Sequence, residues 1–293
     1  MNVLSLFTTA VLAAESLFFP SGDTTSRPVV SFADLLETVR PMESKGAVLG
    51  TGTFSATIVA GEASPPQLRT TKKPFYTVAF LGDSMTDTLG ADLGLVRDEL
   101  SRVYPFTSFR LLNYGVGGEN IVSGLERVIA DTVYLGVLRP SLVSQNPDVI
   151  VIESFAYNPF PFEIGALEHH WLSLAYLVDA IRANIPDSRI VIAATIAPNS
   201  KIFGDGAPGV AFLPEDKWQR TQTIKRYLEN ATRFAQSENI ALADAYHPSL
   251  DTTGEGRLIY INPGDHIHYS DAGRQMFART VVDTIVSRKL LEE

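Results

Sequence analysis

The sequence contains no cysteine among its 293 residues. This absence excludes disulfide bonds, zinc sites built on cysteine and a thiol nucleophile. The sequence also lacks a phosphate-binding P-loop and a Gly-x-Ser-x-Gly nucleophile elbow. Any nucleophile in this chain is therefore not a thiol and does not lie in such an elbow.

Basic residues are few and scattered. The chain has 24 Lys and Arg against 33 Asp and Glu, which gives a formal net charge of −9. A nucleic-acid-binding surface needs clustered Lys and Arg, and the nearest thing to a cluster is the pair Lys72-Lys73. The composition therefore predicts no nucleic-acid partner.

Long apolar runs are also missing, and residues 3–14, VLSLFTTAVLAA, form the one ambiguous stretch. The stretch has the length of a signal-peptide core, but no Lys or Arg precedes it. It is too short and too interrupted to span a bilayer. Two interpretations stay open: export or envelope attachment, with membrane contact limited to residues 1–20, or an amphipathic helix that covers part of the core of a cytoplasmic protein.

The chain divides near residue 74. Residues 1–74 form an N-terminal extension. Its residues 21–74 are irregular and rich in Gly, Ser, Thr and Pro, with a helical pattern at 32–40 and a possible strand or hairpin at 47–61. Residues 62–74 are typical of a surface linker. From residue 75 to residue 293 the pattern becomes regular, which predicts a single domain.

Short apolar runs alternate with longer amphipathic ones in this domain. The apolar runs favour strands at 75–81, 108–113, 148–153, 189–195 and 240–245. The amphipathic patterns favour helices near 93–103, 121–137, 168–184, 216–236 and 271–290. The strand runs are nearly continuous in apolar residues, which is typical of a parallel sheet covered on both faces. We therefore predict an α/β fold, a three-layer α/β/α sandwich with a five-stranded parallel sheet, whose ligands bind beyond the carboxyl ends of the strands.

Ser84 follows the first predicted strand in the stretch LGDSMTD, directly before a possible helix start. Gly82 permits a tight turn at this place. Such a turn can present the hydroxyl and the backbone N–H of Ser84 to the crevice. The alternative is a plain helix N-cap, a position that Ser and Asp both favour.

A glycine-rich turn follows the second predicted strand in LLNYGVGGENI, residues 111–121. Its glycines permit close approach of the backbone to a ligand, and their N–H groups can form an anion-binding concavity. The spacing does not match a dinucleotide fingerprint, and this is not the first turn of the sheet. A flexible turn without a ligand is the alternative.

The loops after the third and fourth predicted strands are aromatic. In VIESFAYNPFPF, Asn158 is either a turn residue or an amide donor into the crevice. Phe160 and Phe162 follow it, and Phe203 and Phe212 lie in the next loop. We hypothesise that these four phenylalanines wall an apolar acyl or aryl pocket; the alternative is that they cap the edge of the sheet.

Asp265 and His268 lie three residues apart in NPGDHIHYSDAGRQMF, ahead of the last predicted helix. A carboxylate beside an imidazole can fix its tautomer and stabilise its protonated form. The competing interpretation is a metal site. Its possible ligands are Asp265, His266, His268 and Asp271, with Asp83 and Asp87 from the first turn.

Other polar residues suggest no definite task. His169 and His170 are expected to face solvent or to cap a helix. Asp244 and His247 end the fifth predicted strand and could line the crevice. Both tryptophans are expected to belong to packing.

Taken together, these stretches resemble the four blocks that name the SGNH (GDSL-like) hydrolase family, over residues 75–290. GDS comes first, then an Asn-x-Gly-x-x-Gly turn, a strand followed by Asn, and Asp-x-x-His near the end. The resemblance implies a flavodoxin-like three-layer fold and the chemistry of a serine-dependent carboxylic ester hydrolase, of the esterase or lipase type. It implies no metal and no organic cofactor, and an ester of a small molecule, a carbohydrate or a lipid as substrate.

Carried over by position, the resemblance implies that Ser84 is the nucleophile, His268 the base and Asp265 its orienting acid. The N–H groups of Ser84 and Gly118 and the amide of Asn158 would then form an oxyanion hole. The third block departs from the usual Gly-x-Asn-Asp: it reads SFAYNP, without the glycine, with one extra residue and with Pro in place of Asp. We therefore expect a different loop path there. An acyltransferase of the same chemistry and a non-catalytic glycan-binding module on the same scaffold remain alternatives.

Overall fold

A five-stranded sheet forms the centre of the protein, for which a computed structural model describes residues 68–292. The strands of this part of the chain are β1 (Phe75–Gly82), β2 (Ser108–Gly115), β3 (Thr132–Tyr134), β4 (Val137–Arg139), β5 (Val149–Glu153), β6 (Arg189–Ala194) and β7 (Ala241–Asp244). Strands β3 and β4 make a separate hairpin. The stretch at 3–14, the predicted helix at 32–40 and the predicted strand or hairpin at 47–61 lie outside the described residues.

The strands of the central sheet are all parallel and lie in the order β2–β1–β5–β6–β7. Counting only these five along the chain, the order is 2-1-3-4-5, which is the flavodoxin-like arrangement. Strand β5 is buried along its whole length, as a strand covered on both faces should be. The predicted five-stranded parallel sheet is confirmed.

Helices cover both faces of the sheet. They are α1 (Ser84–Asp87), α2 (Gly94–Val103), α3 (Ile121–Ile129), α4 (Leu142–Gln145), α5 (Ala166–Asn184), α6 (Pro214–Ser237), α7 (Tyr246–Ser249) and α8 (Asp271–Ser287). Alternate residues of β1 serve the two faces: Val78 and Phe80 pack in a cluster with α2 and α8, whereas Ala79 and Leu81 pack in a cluster with α3, α5 and α6. The predicted three-layer sandwich is therefore confirmed.

The helix predicted over 121–137 is wrong in its second half. Helix α3 ends at Ile129, and the chain then forms the hairpin β3–β4. The hairpin turns at Leu135 and Gly136, which have φ angles of 51° and 76°. Its Tyr134 hydroxyl donates to Asp87 Oδ2 at 2.8 Å. This tertiary contact, together with a turn that needs positive φ, overrides a helical pattern that is only local.

The described part of the predicted linker is held against the domain. The N–H of Arg69 donates to the carbonyl of Val103 at 2.9 Å, and the N–H of Lys72 donates to Leu291 at 3.0 Å. The guanidinium of Arg69 also pairs with Glu292 at 3.0 Å. Over residues 68–292, no helix has both the length and the apolar character needed to cross a membrane.

Candidate active site

Strand β1 ends in a turn that leaves no room for a side chain at Gly82. A Cβ atom there would lie 2.0 Å from Thr86 Oγ1. Asp83 is the N-cap of α1, because its Oδ1 accepts a hydrogen bond from the N–H of Met85 at 2.7 Å. The hydroxyl of Ser84 is therefore not used for capping, and half-buried Ser84 begins the helix at the carboxyl end of the sheet.

Ser84, His268 and Asp265 form one hydrogen-bonded chain, although Ser84 and His268 are 184 residues apart in sequence. His268 Nε2 lies 3.0 Å from Ser84 Oγ, and His268 Nδ1 lies 2.9 Å from Asp265 Oδ2. Because a carboxylate can only accept, Nδ1 carries the imidazole proton and Nε2 is left to accept the hydroxyl proton of Ser84. This geometry can remove the serine proton during attack on a bound electrophile.

The backbone holds the carboxylate of Asp265 in place. Its Oδ1 accepts hydrogen bonds from the N–H groups of Ile267 at 2.8 Å and of His268 at 3.0 Å. Partial burial opposes ionisation, but these hydrogen bonds and the contact with the His268 side chain outweigh it and lower the pKa of Asp265 below its usual value. The negative charge that faces the imidazole favours the imidazolium formed when Ser84 loses its proton.

The alternative metal ligands are not brought together. His266 turns its Nδ1 towards the carbonyl oxygen of Asp205, and Asp271 pairs with Arg274. Between residues 68 and 292, no group of three or more His, Asp and Glu side chains is placed to share a metal ion. The observed partner of His268 Nε2 is instead the hydroxyl of Ser84.

The glycine turn after β2 lies directly beside Ser84. A Cβ atom added to Gly117 would stand 4.0 Å from Ser84 Cβ. The N–H of Gly117 donates to the hydroxyl of Tyr134 at 3.2 Å, whereas Gly118, with φ of 77°, borders a groove. Among the described residues, the N–H groups of Ser84 and Gly118 have no protein acceptor. Two backbone donors are therefore available to a ligand at this place.

Asn158 borders the same groove, and the loop that carries it takes an unusual path. Phe155 adopts a φ of 51° and buries its ring against α3, where Gly124 leaves space for it. Asn158 Nδ2 donates one hydrogen bond to Asp83 Oδ2 at 3.0 Å. A side-chain amide has two N–H donors, so the second remains for another acceptor.

Two buried acids behind Ser84 were not predicted from the sequence. Asp83 is 0% exposed and Glu153 is 1% exposed. Burial raises the pKa of both groups, and the charge of Asp83 raises the pKa of Glu153 further. The signal in the sequence was Glu153 itself, a carboxylate at the end of the apolar run DVIVI, because a buried acid is almost always paired.

A groove of about 980 Å³ begins at the glycine turn and the Asn158 loop. Phe160, Phe162 and Phe203, three of the four phenylalanines predicted for a pocket, border this groove. Phe212 is not among its lining residues and instead stacks on Phe203, with 6.1 Å between ring centroids. The groove therefore has an aromatic wall, and Phe212 contacts that wall through Phe203 without lining the groove.

Helix α6 also lines the groove, and this part of the lining was missed in the sequence. It carries Trp218, Gln219, Gln222 and Arg226, whose spacing places them on one side of the helix. Trp218 is 55% exposed, so its predicted packing role is wrong. A polar and aromatic face at helical spacing was the available signal, but it is also typical of an ordinary solvated helix.

The expectation that His170 faces solvent or caps a helix is wrong, since its side chain is fully buried. Its Nδ1 meets Asn230 Nδ2 at 3.0 Å and its Nε2 meets the carbonyl of Ser154 at 2.8 Å. His169, by contrast, is exposed and packs edge-on against Phe162. His170 therefore belongs to the core between α5 and α6 rather than to the crevice.

Comparison with known proteins identifies a family and a fold. The model of the GDSL-like lipase/acylhydrolase family matches residues 80–276. A structure assigned as an acylhydrolase from Bacteroides fragilis has 17% identity and a TM-score of 0.52, covering 78% of this chain and 92% of its own. A gut microbial diltiazem-metabolizing enzyme has 18% identity and a TM-score of 0.51, covering 74% of this chain and 48% of its own.

An acetylxylan esterase from Geobacillus stearothermophilus has 18% identity and a TM-score of 0.45, covering 72% of this chain and 94% of its own. Comparison with curated proteins gave no match. At these identities the two structures with TM-scores above 0.5 support the fold alone, and the family model establishes the family. The resemblance to the SGNH (GDSL-like) hydrolases is thereby confirmed: the chain belongs to the GDSL-like lipase/acylhydrolase family and is an ester hydrolase.

Proposed function

We propose that this protein is a serine-dependent carboxylic ester hydrolase in which Ser84 is the nucleophile, His268 the general base and Asp265 the acid that orients it. The observation that carries the proposal is the continuous chain of contacts from Asp265 Oδ2 through the imidazole to Ser84 Oγ, at 2.9 and 3.0 Å. These distances lie within the range over which a base and a nucleophile exchange a proton.

In the first half of the reaction, Ser84 Oγ attacks the ester carbonyl carbon while His268 Nε2 takes the hydroxyl proton. The carbonyl electron pair moves onto oxygen, and the negative charge of Asp265 stabilises the imidazolium. Collapse of this intermediate breaks the bond to the alcohol oxygen, which leaves with the proton from His268. An acyl group remains on Ser84.

In the second half, water attacks the acyl carbon and gives its proton to His268. The free acid leaves, and Ser84 recovers its hydroxyl proton from the imidazolium. Side chains and water carry every proton in this cycle, so the mechanism calls for no metal and no organic cofactor.

The negative oxygen of each intermediate needs donors that are already in place. We assign this role to the N–H groups of Ser84 and Gly118 and to the second N–H of the Asn158 amide. The support is that both backbone N–H groups lack a protein acceptor among the described residues, and that Asp83 anchors Asn158 at 3.0 Å. Removing one such donor typically lowers kcat by about 10²- to 10³-fold.

The groove is the proposed substrate site. Its aromatic wall suits an apolar acyl or aryl group, whereas the amide and guanidinium groups of the α6 wall would lose hydrogen bonds to water against a long apolar chain. We therefore place the acyl part against Phe160, Phe162 and Phe203, with Phe212 stacked on Phe203. The small-molecule, carbohydrate or lipid alcohol then extends towards α6.

Hydrolysis of p-nitrophenyl acetate by the wild type and by Ser84→Ala tests the mechanism. We expect Ser84→Ala to keep the wild-type thermal transition and to lose ester hydrolysis, because the nucleophile is gone. Ser101→Ala, a change at an exposed serine of α2, is the matched control and should keep full activity. Turnover by Ser84→Ala near the wild-type rate would overturn the mechanism.

A series of p-nitrophenyl esters of increasing acyl length tests the groove. Phe160→Ala should reduce kcat/KM for the longer esters by about 10-fold relative to the acetate, since a methylene group in an apolar pocket is worth about 1–3 kcal/mol. Phe106→Ala is the control, because Phe106 is 82% exposed and precedes the amino end of β2, whereas the groove begins at the carboxyl ends of the strands. Identical chain-length profiles in the two variants would remove Phe160 from the acyl site.

A further inference from the structure

The proposed mechanism does not use the two buried acids behind Ser84. Asp83 comes directly before the nucleophile, and Glu153 ends the neighbouring strand β5. Their side chains are 0% and 1% exposed. Burying a charge is costly unless the charge is paired and hydrogen-bonded, so the chain retains this pair against a free-energy penalty.

Asp83 joins the nucleophile turn to the third proposed oxyanion donor. Its Oδ1 accepts the N–H of Met85 in the first turn of α1 at 2.7 Å, and its Oδ2 accepts Asn158 Nδ2 at 3.0 Å. One carboxylate therefore sets the position of the Ser84 helix and of the Asn158 amide relative to each other.

Glu153 accepts hydrogen bonds from the backbone of Asp83 and from the first residues of the loop that carries Asn158. Its Oε2 accepts the N–H of Asp83 at 2.9 Å. Its Oε1 accepts the N–H of Phe155 at 2.8 Å and the hydroxyl of Ser154 at 3.0 Å. The backbone contact between them brings two fully buried carboxyl groups side by side, and two negative charges at such a place repel each other unless one group holds a proton.

The surroundings of the pair favour one negative charge and not two. Burial and the charge of Asp83 raise the pKa of Glu153 well above its usual value, so Glu153 is the member that keeps the proton. The charged and titratable groups that face the pair are Arg127 from α3, His268, Tyr157 and Tyr269. Arg127 is itself buried and donates to the carbonyl of Gly82 at 2.8 Å. Its positive charge attracts negative charge on the pair without contacting either carboxyl group.

We propose that the Asp83–Glu153 pair, sharing one proton, is a positioning device that holds the Asn158 amide and the Ser84 turn where the oxyanion forms. Glu153 is a positioning residue, since it acts through Asp83 and touches no substrate. This inference rests on the proposed function, because it assigns the support of the same oxyanion site.

Two variants of Glu153 separate its hydrogen bonding from its volume. Glu153→Leu removes all of its polar contacts, and we expect kcat to fall roughly 10²-fold, as for a misplaced catalytic group, with KM changed less than threefold. Glu153→Gln keeps one acceptor for Phe155 and carries an amide donor near the Asp83 carboxylate, although it loses the acceptor for the Asp83 N–H, and it should recover at least 10-fold of that loss. Equal kcat values for the two folded variants would overturn the proposal.

The alkaline side of the pH profile gives a readout that a merely structural role would not change. In the wild type, kcat should fall at high pH when the pair loses its proton and two charges face each other. Glu153→Gln cannot lose that proton, so its kcat should stay level over the same range. An alkaline fall of the same size and midpoint in both proteins would contradict the shared proton.

A double-mutant cycle with Asn158→Ala decides whether Glu153 acts through the amide. If it does, the loss of kcat caused by the Glu153 variant should shrink to less than threefold when Asn158 is already alanine, because residues that act as a unit are not additive. Equal losses in both backgrounds would overturn the inference. If Glu153→Leu does not fold, the pH profile of Glu153→Gln decides the question instead, with the outcomes stated above.

The failure of this inference can be told apart from the failure of the proposed function. Loss of hydrolysis in Ser84→Ala establishes that the wild-type rate depends on the nucleophile. If that dependence holds and the cycle is additive, the positioning role alone is wrong. If hydrolysis survives in Ser84→Ala, the proposed function is wrong, and with it the inference that rests on it.

Discussion

Two Asp-x-x-His pairs lie at the carboxyl side of this sheet, and they have nearly the same local geometry. Asp244 Oδ2 meets His247 Nδ1 at 2.7 Å, and Asp265 Oδ2 meets His268 Nδ1 at 2.9 Å. In each pair the backbone N–H of the histidine also donates to the other oxygen, Oδ1, of the same carboxylate. The Nε2 atom of His247, however, faces Glu229 at 3.3 Å, whereas that of His268 faces Ser84. The Asp-x-x-His spacing is therefore enough to form the carboxylate–imidazole pair. The fold decides which pair meets a serine, and only the pair of Asp265 and His268 does so among these two.

This duplication supplies a matched test of the triad. Asp265→Asn should lower kcat by roughly 10²- to 10⁴-fold, because an amide can present a donor to Nδ1 and so favour the wrong tautomer. Asp244→Asn removes the same interaction from a pair that meets no serine, and should leave kcat within twofold. Similar losses in the two variants would show that Asp265 matters for folding and not for the orientation of His268.

At the scale of elements, the loop after β5 could not have been traced from the sequence. The absence of the usual glycine predicted a changed path, but not that Phe155 itself would take a positive φ and bury its ring. Such a conformation is costly for a bulky residue, and it persists because α3 offers space at Gly124. The truncation of α3 by the hairpin was hidden for a similar reason, since both depend on contacts between distant segments.

The fit between Phe155 and Gly124 can be tested directly. An added Cβ at Gly124 would stand 2.8 Å from Phe155 Cζ, so Gly124→Ala should lower the free energy of unfolding by about 1–3 kcal/mol through overpacking. This loss should appear although alanine favours helix over glycine. Urea unfolding measures it.

Gly94→Ala is the control for this substitution. Gly94 begins α2, and its nearest neighbour would be an ordinary contact, Asp92 Oδ2 at 3.6 Å. The control should therefore keep or gain stability. Equal or greater stability of Gly124→Ala relative to the wild type would mean that the ring of Phe155 does not limit the packing against α3.

At the scale of the whole molecule, the layered fold could be predicted because its strands and helices each leave a continuous pattern in the sequence. Strands buried on both faces appear as uninterrupted apolar runs, so all five were placed within two residues of their observed bounds, as β5 illustrates at 149–153 against the predicted 148–153. Buried polar groups were not readable. Glu153 and His170 are satisfied by partners far away in sequence, and no local pattern marks such pairing.

The burial of His170 makes the stability of the molecule depend on pH. Asn230 Nδ2 donates to Nδ1 and also to the carbonyl of Leu167 at 2.9 Å, which leaves the neutral ring with its proton on Nε2, donated to Ser154. Burial lowers the pKa of His170 to about 4. A histidine in an unfolded chain has a pKa near 6.5. Between about pH 6.5 and 4, His170 is therefore protonated in the unfolded chain and neutral in the native state.

The stabilisation from neutral His170 is therefore complete above about pH 6.5 and is lost as the pH falls towards 4, a total of roughly 3 kcal/mol. In urea unfolding, the wild type should lose stability over this range more steeply than His170→Gln, which has no group to titrate there. His169→Gln, at an exposed histidine that is in no ion pair among the described residues, should follow the wild-type curve. Parallel curves for the wild type and His170→Gln would contradict the assignment.

The central claim is that the imidazole of His268 activates the hydroxyl of Ser84. Treatment with a fluorophosphonate, followed by mass spectrometry of the peptides, measures this most directly, because the reagent labels a serine only where a base and donors activate it. We predict a single adduct on Ser84 in the wild type and none in His268→Ala. An active enzyme that takes up no label, or that carries the label on another residue, would contradict the account.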